Sequence, residues 1–258
     1  MTTLVSDTTP LAPVSETLRR AFGTDDLPGL VPNLIVTDEV GWRSATELAD
    51  GSGLPDLLAM ATRQWRAAPH TAAALVFKAY AYWAALPALL GWARAQRVPL
   101  LHAGDVLVRY DGGQVRIGLA RSVRVAVLPA DPLALEHRPD VQVVPDEATL
   151  LRALRVSLLD QHLAPVVEAI SQRVRLGTRA LLGSVASGAA YAILRAADAL
   201  PGPSVETIDT LLDALGLADL VDLVPGPDGV PTVQRRTCCL AFTLPQPKVC
   251  SGCCIRPS

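Results

Sequence analysis

Val106-Leu107-Val108-Arg109-Tyr110-Asp111-Gly112-Gly113-Gln114-Val115-Arg116-Ile117-Gly118-Leu119 decides the fold class. Val106, Val108 and Tyr110 alternate with Leu107 and Arg109, and Val115, Ile117 and Leu119 alternate with Arg116 and Gly118. A period of two is the pattern of a half-buried strand, and Asp-Gly-Gly between the two runs is a hairpin turn. Val123, Val125 and Val127 alternate again, so the spacing predicts a three-stranded antiparallel meander that residues 141–144 could extend.

Outside this stretch the periodicity is helical. On the N-terminal side it predicts helices over residues 15–22, 56–65 and 72–94, the last kinked at Pro87, and a short strand at Leu34-Ile35-Val36. On the C-terminal side Leu151, Leu154, Leu158 and Leu159 recur at helical spacing, and Pro165 should bend that helix. Thr178 can cap the next helix. Its Gly183, Ser184, Ala186, Ser187 and Gly188 make a slim face. A mid-helix glycine costs about 1 kcal/mol, which close packing or ligand approach must offset. Ser204 can cap a further helix that Gly216 stops. The pattern is α+β: a mostly helical body with a small antiparallel β-sheet. Pro225-Gly226-Pro227-Asp228-Gly229 is a linker or a hairpin turn, and it divides a body, residues 1–230, from a C-terminal segment, residues 231–258.

Of the 258 residues, half are hydrophobic, enough for a substantial core. A net charge of −2 gives no polyelectrolyte signal for nucleic acid. Positive mean hydropathy raises the question of a membrane span. Residues 71–93 contain Lys78 and Pro87, and residues 180–194 are too short and too rich in Gly and Ser, whereas a span needs about 20 apolar residues. Both are expected to be buried helices, which leaves peripheral contact with a membrane open. Met-Thr-Thr-Leu-Val-Ser-Asp at the N-terminus lacks a basic region and an apolar run, so no secretory signal is expected.

All five cysteines lie in the last 21 residues, and four of them spell Cys238-Cys239-x10-Cys250-x2-Cys253. Soft thiolates select zinc or iron–sulfur clusters, and four sulfurs complete such a site. In Cys250-Ser-Gly-Cys253, Gly252 lets the chain fold back so that both sulfurs reach one metal. The adjacent pair is different. On an extended backbone neighbouring side chains point to opposite faces, so Cys238 and Cys239 share a site only if the chain kinks there. A four-cysteine zinc site usually shows two CxxC-type pairs. A disulfide framework needs an oxidising compartment and leaves one of five thiols unpaired.

This order of cysteines, with Arg-x-Thr before the first pair (Arg235, Thr237) and Leu-x-Phe after it (Leu240, Phe242), resembles the FhuF-type siderophore ferric-iron reductases. Weaker likeness extends to Gln161-His162-Leu163-Ala164-Pro165 and to Leu181-Leu182-Gly183-Ser184-Val185-Ala186. The resemblance implies a [2Fe–2S] cluster on Cys238, Cys239, Cys250 and Cys253, with Cys254 standing where a proline is common. It also implies a cytoplasmic enzyme that passes one electron to a ferric siderophore and releases ferrous iron. The alternative is a siderophore-binding or regulatory protein with a structural zinc or a redox-sensing cluster. No flavin or nicotinamide fingerprint occurs, so electrons would come from a ferredoxin-like protein. Arg235, Arg236, Lys248 and Arg256 flank the cysteines and would raise the cluster's potential or dock an acidic donor. His162 and Arg179 are the candidate chelate-binding residues, and Trp83 and Trp92 could face an organic ligand.

Overall fold

The computed structural model describes residues 10–24, 26–226, 229–250 and 252–255. Its elements run α1 (Ala12–Phe22), β1 (Leu30–Ile35), β2 (Arg43–Ser44), α2 (Thr46–Ala49), α3 (Leu54–Trp65), α4 (Pro69–Ala95), β3 (Arg97–Pro99), β4 (Val106–Asp111), β5 (Gln114–Leu119), β6 (Val125–Val127) and β7 (Val141–Val143). Then come α5 (Glu147–Leu154), a π-helical stretch (Arg155–Leu163), α6 (Ala164–Arg173), α7 (Thr178–Arg195), α8 (Ser204–Leu215), β8 (Val221–Pro225) and β9 (Pro231–Arg235). The fold is α+β and mostly helical.

α4 is the axis of the molecule. It is apolar around its whole circumference, the composition of a helix surrounded by protein. It packs against α1 and α3 and most extensively against α7. By length and apolarity it is the one helix among the described residues that could cross a membrane, and 72% of its most apolar window is buried inside the protein. It continues through Pro87 without a break in the helix.

The hairpin β4–β5 forms as the alternation predicts, with Asp111 opposite Gln114. The third strand does not join it. β6 pairs antiparallel with β3 and parallel with β7, while β5 takes β1 as a parallel neighbour and β4 takes β2. The meander is thus two small mixed sheets, ordered β1-β5-β4-β2 and β3-β6-β7. All three residues of β3 are buried, and Arg97 makes two hydrogen bonds to Asp131, at 2.6 and 3.0 Å.

Helix starts also differ in detail. Asp146 caps α5 by accepting the Thr149 N–H at 2.8 Å, whereas Thr178 and Ser204 are first residues of their helices and cap nothing. Gly216 ends α8 in the left-handed conformation, as expected. Pro165 stands in the first turn of α6, where its missing N–H costs least, and the π-helical stretch precedes it. The segment after Pro225 is a hairpin turn: the Gly226 N–H donates to Val230 O, and β8 pairs with β9 along its length. That hairpin joins residues on both sides of position 230. Pro227 and Asp228 lie outside the described residues.

The π-helical stretch turns His162 into the core, where it is fully buried. Its Nδ1–H donates to the Leu101 carbonyl at 3.0 Å, so Nε2 accepts the Tyr80 hydroxyl from α4. Burial pushes the imidazole pKa down from 6.5 to about 4, a neutral ring at physiological pH. Because the unfolded chain takes up a proton near pH 6.5 and the folded one only near pH 4, stability falls as pH drops through this window. Between pH 7 and pH 4.5 the loss should be about 2.5 kcal/mol from this residue alone. Denaturant unfolding at the two pH values should show that loss, and His162→Asn should be less stable at pH 7 with a flatter pH dependence. An equal slope in the variant would contradict the assignment.

Candidate functional site

β9 leads from the body into the cysteines. Val233 and Arg235 face inward against α7, and the chain bends at Arg236–Thr237 and again at Leu240, whose φ is 62°. These bends flank the adjacent pair, one on each side of Cys238 and Cys239. After Leu240 a short helical turn, Ala241–Thr243, lies over the start of α4, where Thr71 and Thr243 share a hydroxyl hydrogen bond of 2.8 Å. The Lys248 N–H donates back to Ala241 O and closes the connection between the two cysteine pairs. The second pair then returns to β9: the Arg235 N–H donates to Gly252 O at 2.9 Å and Gln234 Nε2 to Cys253 O at 2.8 Å.

Two glycines make this path possible by their small size. A Cβ on Gly183 would stand 1.9 Å from Thr237 Oγ1, and one on Gly252 would stand 1.9 Å from the Val233 carbonyl. The sequence supplied a reason for Gly252 in its conformational freedom. The structure supplies a different one: a strand backbone occupies the space a side chain would need.

All five thiols are free. Cys239 and Cys253 are buried, Cys238 and Cys254 half-buried and Cys250 exposed. Burial pushes the Cys254 thiol up to about 11, and Cys238 and Cys253, each near it, push it the same way. Backbone N–H groups are aimed at two of the sulfurs: Leu240 N to Cys238 Sγ at 3.3 Å and Ile255 N to Cys253 Sγ at 3.4 Å. Among the described residues no three His, Cys, Asp or Glu side chains surround a single point as the shell of one metal ion. The residues that could hold a metal cofactor are Cys238, Cys239, Cys250 and Cys253, with Cys254 as a fifth thiol beside them.

The flanking cations separate into distinct environments. Arg236 is exposed and bonded twice to Asp222, at 2.8 and 2.6 Å, which holds that carboxyl below its ordinary value. Lys248 lies on the exposed connection. Arg235 is buried, and its Nη2 donates to Ser184 Oγ of α7 at 3.1 Å. Arg256 is outside the described residues.

The candidate chelate-binding residues are not brought together. His162 is in the core with both ring nitrogens engaged and no exposed atom for a ligand. Arg179 lies on the surface at the start of α7 and pairs with Asp219 at 2.7 Å. Trp92 is buried beside a groove of about 820 Å³ between the end of α4, the start of α5 and α8. That groove lies about 30 Å along α4 from the Thr71–Thr243 contact, counting helix rise. Trp83 packs over Gly29 and lines a cleft of about 230 Å³ with Trp65, Val76 and Ala79. Each tryptophan thus borders a cavity, while His162 and Arg179 line neither.

In metal-free protein, alkylation should reach Cys250 first and Cys239 and Cys253 last, because the thiolate must be accessible to react. Gly183→Ala should displace Thr237 and speed labelling of Cys239 severalfold. Mass-mapped labelling kinetics would check both, and equal rates at all five thiols would show that the segment does not hold this path.

Three comparisons bear on kinship. No curated protein matches the sequence. Two structures of the aerobactin synthetase IucA from a hypervirulent pathotype of Klebsiella pneumoniae, one of them ATP-bound, are similar at TM-scores of 0.46 and 0.47 and identities of 16% and 15%. They cover 72% and 73% of this chain, which itself spans only 36% and 35% of their length. The family model described as "Ferric iron reductase FhuF-like transporter" matches residues 74–220, from within α4 to the turn before β8. Since that match takes in more than half of the chain, the protein belongs to the FhuF-like ferric iron reductase family.

Proposed function

We propose that the protein is a cytoplasmic ferric-siderophore reductase that carries a [2Fe–2S] cluster on Cys238, Cys239, Cys250 and Cys253 and receives electrons from a ferredoxin-like protein. Family membership supplies the role in ferric iron reduction. The observation that supports a shared thiol site is the path of the C-terminal segment, which brings the Cys250–Cys253 turn back onto β9, the strand that leads into Cys238 and Cys239.

The residues present fit such a centre in kind. A two-iron cluster takes two ligands on each iron, so it does not require three donors around a single point. Hydrogen bonds to cluster sulfurs are one of the means by which a protein sets the potential, and Leu240 and Ile255 supply N–H donors to Cys238 and Cys253. When bound, the cluster would supply a one-electron reductant, and ferrous iron, with lower charge density, is held more weakly than ferric iron by hard oxygen ligands.

The chain's own residues define the approach. Cys250 is exposed, and Phe242, Val249 and Ile255 are exposed apolar side chains on the same segment. Residues 229–258 contain no Asp or Glu, while they include Arg235, Arg236, Lys248 and Arg256. An anionic ferric chelate or an acidic electron donor would meet no carboxylate of this segment. A structural zinc on the same cysteines remains the competing reading.

Reduced protein mixed anaerobically with ferric siderophores should be reoxidised faster than it decays alone, and a ferrous chelator should collect the iron. Serine at Cys238, Cys239, Cys250 or Cys253 should abolish the visible chromophore or strongly weaken it, and Cys254→Ser should retain it. Loss of colour in Cys254→Ser alone would reassign the ligands. A reduced protein indifferent to every ferric chelate offered would refute the reductase.

A further inference from the structure

Arg235 is the one buried side chain of this region whose chemistry the fold leaves unfinished. It is 2% exposed. Its Nη2 donates to Ser184 Oγ at 3.1 Å and to Thr237 Oγ1 at 3.4 Å, both neutral hydroxyls. Its Nε and Nη1 are buried with no partner, and no carboxylate pairs with it among the described residues. The other buried arginine among the described residues obeys the usual rule: Arg97 is met by Asp131 with two hydrogen bonds. Arg236, next in sequence, turns outward to Asp222. Removing a charge from water costs several kcal/mol even after relaxation, and an unpaired one keeps that cost. Two hydroxyls cannot offset it, so the site calls for an anion.

The strand that carries Arg235 is tied to both halves of the cysteine set. Its own N–H holds the Cys250–Cys253 turn through Gly252 O, its neighbour Gln234 holds Cys253 O, and Cys238 follows three residues on. Two ferric ions, two sulfides and four thiolates sum to a formal charge of about −2, becoming about −3 on reduction. We infer that Arg235 is the internal counter-cation of the cysteine site, a positioning residue that favours the added electron. This rests on the cluster reading above. Arg236, already neutralised by Asp222 in solvent, has no such part.

The test compares full-length wild type with Arg235→Met, Arg235→Lys and Arg236→Met, each reconstituted anaerobically and titrated for midpoint potential at fixed salt. Arg235→Met should lower the potential so that the reduced-to-oxidised ratio at the wild-type midpoint falls at least tenfold, or 59 mV for a one-electron couple. Arg235→Lys should restore most of it, and Arg236→Met should match wild type. Metal-free Arg235→Met should melt no lower than wild type, since it loses an uncompensated charge and keeps the side-chain length. A variant that melts normally yet fails to retain the cluster also supports the counter-cation. An unmoved potential in Arg235→Met, or a shift as large in Arg235→Lys, overturns the inference and leaves the cluster standing. Collapse of metal-free Arg235→Met overturns it too, because the guanidinium would then be a clamp of the fold. Failure of wild type to assemble iron and sulfide overturns the cluster reading itself, before any variant is made.

Discussion

The structure depends on α7 being thin where it meets the cysteine segment. One turn of α-helix holds 3.6 residues, so Gly183 and Gly188 point about 140° apart. A Cβ on Gly188 would meet Tyr82 of the central helix α4 at 3.6 Å, and one on Gly183 would collide with Thr237 just before the cysteines. α7 is therefore a slim spacer: one face lies on the core and another carries β9 and the cysteine segment. The helix propensity lost at Gly183 is offset by the close approach of Thr237, whereas at Gly188 a Cβ would make only an ordinary contact. Ser184 and Ser187 extend the small-residue face, and Ser184 also reaches Arg235.

That arrangement explains how a segment that leaves Phe242, Val249 and Ile255 exposed is positioned. It is held by its connection to β9, by Val233 in the core, by the Thr71–Thr243 hydrogen bond at the start of α4 and by backbone hydrogen bonds from β9 to the second cysteine pair. The five thiols thereby range from buried, at Cys239 and Cys253, to open to solvent, at Cys250.

Much of this was legible in the sequence because the signals were local. Asp111-Gly112-Gly113 between alternating runs marks a hairpin whatever surrounds it, and Gly216 marks a helix end. Partner choice was not legible. Alternation in residues 123–127 tells which side chains share a face, yet β6 pairs with two three-residue strands remote in sequence. Helix starts at Thr178 and Ser204 were one residue off because Gly177 and Pro203 take the boundary position. His162 was read as a candidate ligand because a lone histidine carries no mark of burial. Its setting among Leu158, Leu159 and Leu163 was the available sign. Arg235 was grouped with three other flanking cations. Its place two residues after Val233 on one strand was the clue that it turns inward, and the missing acid in residues 229–258 was the clue that it has no ordinary partner.

The central proposal is that Cys238 and Cys239, which follow β9, and Cys250 and Cys253, on the turn that returns to it, hold a two-iron cluster. Metal and acid-labile sulfide analysis of the full chain, purified without oxygen, measures this directly. The account predicts two iron atoms and two sulfides for each chain, with a visible absorption that bleaches on one-electron reduction. One zinc for each chain, no sulfide and no visible absorption would contradict it.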